Sequence, residues 1–313
     1  MKRIRLLCLL LAALLLCACS QRPPAALVEE LPQEERVIPA EPEAEAAVQF
    51  TATLYFRYAD TPLLRQEARD ITIAPNESRE KALVSALLEG AREPGSRALF
   101  PEKTRVLSAQ AQDGVVYITF NEALYDRYAD EDRAPAQSVQ RRRLAMAALT
   151  ATLTESGEYR GVQVLVRAEE KVSGSMRLQQ RYFLTEEEGV VPPFTRWSDC
   201  LPTPGAYARE LLSAWQARDW ESLSLYLSAR DDRGVRQAAE VLGREMALIS
   251  FAIYDATTSL DGASAVVCAD LMFRTAAGEE IAMESCPLRL TRENGAWKAA
   301  AAQLQALMGE KDE

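Results

Sequence analysis

Residues 99–124 read LFPEKTRVLSAQAQDGVVYITFNEAL. Two runs, TRVLSAQAQ and VVYITF, flank Asp113-Gly114, and Asp-Gly between alternating segments is the pair that a two-residue hairpin favours, because both central residues take positive φ. Val106, Val116, Ile118 and Phe120 supply one apolar face. Upstream, QFTATLYFRYA (49–59) alternates and is rich in Tyr, Phe and Thr, which predicts a strand over 50–57. ARDITIAP gives a second strand that ends at Pro75. Asn76 then reads as a helix N-cap, with Ala82, Leu83, Ala86, Leu87 and Gly90 on one face of a helix over 77–90. Downstream, a polar stretch (121–137) leads into a helix over 138–156, whose stripe runs through Val139, Leu144, Ala148, Leu149 and Leu153. GVQVLVRA is a further strand, and MRLQQRYFL is a candidate for another. Strands and helices in this order predict a two-layer α/β sandwich over 49–186.

Several separated blocks, TLYFRYAD (53–60), EKALVSALLEGA (80–91), the 99–124 phrase and LAMAALTATLTESGEYRGVQVLV (144–166), resemble the GerMN domain of sporulation and germination lipoproteins. The resemblance covers about 130 residues in the right order. It departs in the charged 121–137 loop and in a polar insertion at 169–177. What it implies is a non-enzymatic binding or assembly module outside the cytoplasmic membrane, in some relatives part of a multiprotein ring. No catalytic residue carries over.

VVPPFTRWSDCLPTPG (190–205) has four prolines and predicts a linker over 187–203 that packs partly on a domain. Beyond it, YARELLSAWQARDWESLSLYLS reads as two helices, with Asp219 as N-cap of the second, and a third is expected over 234–246. The periodicity then switches to strands joined by Asp261-Gly262, Ala277-Gly278 and Asn294-Gly295, an antiparallel meander. Three helices and a curved four-stranded sheet over 204–308 resemble the cone-shaped fold of the nuclear-transport-factor-like family. The whole chain is thus expected to be α+β. Such a cone encloses a pocket. Trp215, Tyr226 and Trp297, with Trp220, either line it or fill the core, and aromatics at helical spacing normally pack inward. Asp270 and Glu284 are either a pocket acid pair or solvent-facing sheet charges.

The first residues, MKRIRLLCLLLAALLLCACS, join three cations to an apolar run over Leu6–Leu16, the build of a secretory leader (residues 1–18). Leu16-Cys17-Ala18-Cys19 resembles a lipobox, which implies cleavage before Cys19 and a diacylglyceryl thioether on its sulfur, with palmitate-type chains anchoring the protein to the extracytoplasmic face of the cell membrane. Residues 19–48 are rich in Pro, Ala and Glu, without an aromatic residue or sustained period, and read as a disordered tether.

The formal charge of −10 falls to about −13 once Lys2, Arg3 and Arg5 leave with the leader, which argues against a nucleic-acid partner. There is no histidine, so Ser-His-Asp and Cys-His catalysis are excluded and the commonest metal ligand is missing. Carboxylate-pair or Ser-Lys chemistry leaves no spacing signature. No enzyme, metal or cofactor is expected. Cys268 and Cys286 fall on strands that can neighbour one another, either as a disulfide or as two small buried residues. Arg141-Arg142-Arg143 is either a contact patch for an acidic partner or a solvated helix start. The function expected is a tethered binding or assembly module with envelope partners or copies of itself, acting in sporulation or germination. The alternative is a sensor that takes a small molecule or cell-wall fragment in the C-terminal pocket.

Overall fold

A computed structural model describes residues 48–167, 174–228 and 246–309. The leader, Cys19, the tether up to residue 47 and the third helix expected over 234–246, except Met246, which begins a strand, lie outside the described residues. Residues 47–313 form one compact unit.

Strand β1 (Val48–Tyr58) pairs antiparallel with β2 (Leu64–Ile73), from Val48 opposite Ile73 to Arg57 opposite Leu64, and the short β3 (Ser96–Arg97) joins the other edge of β1. Helix α1 (Arg79–Leu88) follows β2. Its N-cap is Ser78, whose hydroxyl accepts from the Lys81 N–H at 3.2 Å, and not the expected Asn76. Asn76 sits at φ 64 in the preceding turn, a conformation that Asn tolerates better than most residues, and the cap falls two residues on, at Ser78.

The second sheet has the order β4-β5-β6-β7, with β4 Val106–Gln112, β5 Val115–Asn121, β6 Gly161–Arg167 and β7 Met176–Arg177. Asp113 (φ 52) and Gly114 (φ 75) make the predicted hairpin between β4 and β5. β5 and β6 run parallel, which requires a crossover, supplied by helix α2 (Pro135–Leu153). This helix starts three residues earlier than expected because Pro135, with its fixed φ and no N–H to satisfy, suits the first turn. Every residue from Leu144 to Leu153 is buried, so α2 has no single buried stripe but is packed on all sides. Thr152 Oγ1 accepts the Tyr55 N–H of β1 on one side, and Val162, Val164 and Val166 of β6 share the same core cluster.

The Pro-rich segment is fastened to this core. Phe194 exchanges both backbone hydrogen bonds with Val162 (2.9 and 2.8 Å), and a Cβ on Gly161 would stand 2.8 Å from the Phe194 carbonyl oxygen. Thr203 then caps α3 (Pro204–Ala217). Arg218 at φ 55 ends it, and Asp219 caps α4 (Trp220–Ser224), as its position predicted. β8 (Met246–Thr258), β9 (Ser264–Thr275), β10 (Glu280–Glu293) and β11 (Ala296–Ala299) form an antiparallel meander. The last strand stops at Ala299 and helix α5 (Ala301–Gly309) follows, where the sequence had read a strand through GAWKAAAAQ. The run of Ala lacks the β-branched residues that hold a strand, and Ala is the strongest helix former.

The architecture is α+β, with two hydrophobic clusters. The second, built on α3 and the meander, includes Tyr58 and Leu63 from the β1–β2 turn.

Candidate functional site

The three arginines at the start of α2 do not share one surface. Arg141 grips Asp130 with both ends of its guanidinium (3.0 and 2.8 Å) and lies 4.5 Å from the Tyr128 ring centre. Arg142 is 1 % exposed, donates to the Asp126 carbonyl and the Glu131 carboxylate at 2.9 Å each, and sits between the rings of Tyr128 and Tyr182. Burial alone would raise the Glu131 carboxyl, but bonds from Arg142, Arg127 and the Tyr128 N–H outweigh it and hold it below the usual range. Arg141 and Arg142 therefore fix the charged 121–137 loop to the helix, which corrects the picture of a three-cation contact patch. Arg143 alone is exposed, over the Trp197 ring at 5.7 Å.

The five candidate pocket residues separate onto two faces of the C-terminal sheet. Trp215, Tyr226 and Trp297 are buried in the core beneath it; Trp215 lies 5.4 Å from Phe273, and Trp297 Nε1 donates to the Pro202 carbonyl at 2.9 Å. In β9 the buried positions are Ala265, Val267, Ala269, Leu271 and Phe273, so the period of two turns Asp270 to the opposite face. There Asp270 accepts from the Tyr254 hydroxyl (2.5 Å) and the Ser285 N–H (2.7 Å), which lower its carboxyl, beside exposed Glu284 at a break in the β9–β10 register. These five side chains do not converge. The same alternation parts the cysteines: Cys286 points inward, Cys268 pairs in register with Pro287 and points outward, and both thiols are free.

What the sequence reading missed is the junction between the two clusters. Tyr207 Oη donates to the Leu64 carbonyl (2.9 Å), and the Leu64 N–H donates to the Cys200 carbonyl (2.8 Å). Gly295, in the last hairpin, passes so close to β2 that a Cβ would stand 1.9 Å from the Gln66 carbonyl oxygen. Between these contacts Lys298 donates to the Tyr58 hydroxyl and the Leu225 carbonyl, and burial pulls its ammonium down to about 8. Tyr58 is likewise pushed up to about 12 by burial.

Among the concavities of the described residues, two border these elements. A cleft of about 700 Å³ runs along the junction, with Asp60, Arg97, Glu210, Asp219, Glu221 and Tyr226 on its walls. Burial raises the Glu210 carboxyl there. A groove of about 590 Å³ lies against the Pro-rich segment, walled by Phe183, Pro192, Pro193, Phe194 and Trp197, with Arg143 on its α2 side.

A core α2 helix beside a parallel β5–β6 pair, joined to an antiparallel hairpin, is the arrangement of residues 53–171, and those residues match the Germane family, described as sporulation and spore germination. The chain carries a GerMN-type domain there. Among solved structures it is similar to the tandem GerMN domains of the sporulation protein GerM from Bacillus subtilis, at 18 % identity over 42 % of this chain and 45 % of that one, with a TM-score of 0.27. It is similar also to the first GerMN domain of that protein, at 17 % identity over 41 % of this chain and 93 % of that one (TM-score 0.26). A third is a SEC-C motif containing protein from Rhodopseudomonas palustris, at 15 % identity over 32 % and 76 % of the two chains (TM-score 0.26). No curated protein matches this chain. Among the described residues no helix is long and apolar enough to cross a membrane.

Proposed function

We propose that this protein is a lipid-anchored, extracytoplasmic module that binds or assembles with other envelope proteins during sporulation or germination, without catalysing a reaction. The Germane match over residues 53–171 carries this reading. The leader, Cys19 and the Pro/Ala/Glu-rich stretch that follows support attachment to the outer face of the cell membrane through acyl chains. The C-terminal segment is read as the cone-shaped, nuclear-transport-factor-like domain, held to the first by the junction around Lys298. Labelling with a palmitate analogue tests the anchor: the wild-type chain takes the label and Cys19→Ser does not. Deleting the gene in the native organism lowers the yield of viable or germinating spores. Uniform vegetative expression together with unchanged spore yield counts against the sporulation role.

One observation favours the alternative of a sensor. The junction cleft is large enough for a small ligand and presents Tyr226, Glu210 and Arg97 together. Calorimetric titration with soluble peptidoglycan fragments distinguishes the two, since a pure assembly module gives no heat.

A further inference from the structure

The groove against the Pro-rich segment has a wall chemistry that selects an occupant. Phe194, buried and pinned to β6 by its two backbone bonds, forms the floor. Phe183 and Trp197 stand to either side, each edge-to-face with Phe194 and with ring centres 6.3 and 5.9 Å away. Rings held this way leave notches between them, and Pro192 and Pro193, both exposed, stiffen one rim. Aromatic notches of this kind receive extended, proline-containing segments, which reach the surface already in a low-entropy polyproline II form and so lose little freedom on binding.

The charge on the rim sets the second requirement. Glu187 lines the groove, exposed Glu186 and Glu188 flank it in sequence, and Asp199 lines an adjoining hollow of about 250 Å³ that shares Arg143 and Trp197. The Glu187 carboxylate makes no ion pair among the described residues. Against these acids stand Arg143, drawn onto the Trp197 ring, and two cations that flank the groove in sequence and are engaged elsewhere, Arg196 paired with Glu155 and Arg181 over the Tyr125 ring. With a chain charge of −10, an acidic segment is repelled and a basic one is drawn in.

We infer that this groove binds an extended, proline-containing segment bearing Lys or Arg, supplied by a partner protein. The inference rests on reading the protein as a binding module and names the chemistry of what it binds. The prolines fill the notches between Phe183, Phe194 and Trp197, and the basic side chains reach Glu187 and Asp199.

Fluorescence anisotropy tests it, with the full chain in detergent and three short labelled peptides. One alternates Pro with Lys and Arg, one carries the same prolines with Glu in place of the basic residues, and one keeps the basic residues with Ser in place of Pro. The first binds about tenfold tighter than either of the others. Trp197→Ala weakens it by about the same factor, and exposed Glu187→Lys, which touches no core contact, weakens it and moves the preference toward the Glu peptide. Equal binding of all three peptides, or a Glu187→Lys chain that binds as the wild type does, overturns the inference. A dimer in sedimentation that Trp197→Ala dissociates, with no peptide bound, assigns the groove to a second copy and also overturns it. A chain that binds no peptide while its deletion still impairs sporulation leaves the assembly role standing and removes only this inference. Peptide binding without any sporulation defect does the reverse.

Discussion

Replacing Lys298 with Met at the junction removes a charge that the fold holds at a cost. The ammonium titrates near 10.5 when unperturbed and near 8 in the folded chain, with burial the main cause, Glu293 favouring the charged form and Arg65 opposing it. A shift of that size corresponds to about 3 kcal/mol as a ceiling, and the solvent that reaches this half-buried side chain brings it to about 2 kcal/mol. Below pH 8 both folded and unfolded chains keep the proton, so the full cost is present at pH 7. Between pH 8 and 10.5 the unfolded chain binds the proton and the folded one releases it, so stability rises with pH. The wild type therefore gains about 1 kcal/mol from pH 7 to 9 and about 2 kcal/mol by pH 10. Above pH 10 the buried tyrosines, Tyr58 and Tyr128 among them at about 12, reverse the trend as they ionise in the unfolded chain. Lys298→Met keeps the Tyr58 hydroxyl bonded to the Leu225 carbonyl and loses only the bonds of the ammonium, about 1 kcal/mol. It should be about 1 kcal/mol more stable than wild type at pH 7, an advantage that vanishes and reverses by pH 10. Urea unfolding of both chains at pH 7, 8, 9 and 10 gives the difference curve, in which the tyrosine background cancels. A flat difference, or a Met chain less stable at every pH, refutes the account of Lys298 as a buried, strained cation.

Gly295→Ala should destabilise the chain by more than about 2 kcal/mol, because φ +76 and the Gln66 carbonyl at 1.9 Å both forbid the methyl group; guanidinium unfolding measures it, and near-neutrality would disprove the close approach. Arg142→Met alone should cost about 2 kcal/mol, because Glu131 loses its buried partner and keeps only Arg127 and the Tyr128 N–H, while Arg142→Met with Glu131→Gln recovers part of the loss, a non-additivity that a double-mutant cycle reads directly. Because Tyr58 and Leu63 lie in the second cluster, residues 48–309 should melt in one calorimetric transition; two separated transitions would show the halves to be independent. Intact-mass measurement after alkylation of the urea-unfolded chain without reductant should find Cys268 and Cys286 both modified, and a pair protected until reduction would contradict the opposite orientation of their side chains.

Much of the fold was legible because its signals are local. Asp113-Gly114, Asp261-Gly262 and Asn294-Gly295 turn where a positive φ is needed, and Asp219 caps where its side chain reaches the next turn. The burial of Arg142 has a signal in the spacing: Ser138, Arg142 and Leu149 stand at i, i+4 and i+11, one helix face, and all are buried. Its surroundings are set by its neighbours along the helix and by Glu131 from the charged 121–137 loop, and not by Arg141 and Arg143 beside it in sequence. Asp270 likewise follows from period-two alternation against Leu271 and Phe273, whereas Glu284 shares its parity with buried Cys286 and Leu288 and is exposed because the β10 register breaks between Met283 and Cys286. The junction had no such signal. Tyr58 and Lys298 are 240 residues apart, and neither stands out in its own strand; only the docking of β11 against the β1–β2 turn gives them a shared role.

Most of the groove's walls lie outside the family match, with Val139 and Arg143 of α2 inside it, and that division bears on how the site is built. The Germane stretch ends at 171, whereas Phe183, Glu187, Pro192, Pro193, Phe194 and Trp197 all come after it. They are nevertheless ordered by it: Phe194 is bonded to Val162 of β6, and Arg143 of α2 lies on Trp197. Gly161 permits the first of these contacts, since any side chain there would strike the Phe194 carbonyl oxygen. A rigid scaffold carrying recognition residues on an attached, irregular segment is the common division of labour in binding proteins. On the reading proposed above, the Germane-like domain supplies the scaffold and the segment fastened across it supplies the recognition chemistry.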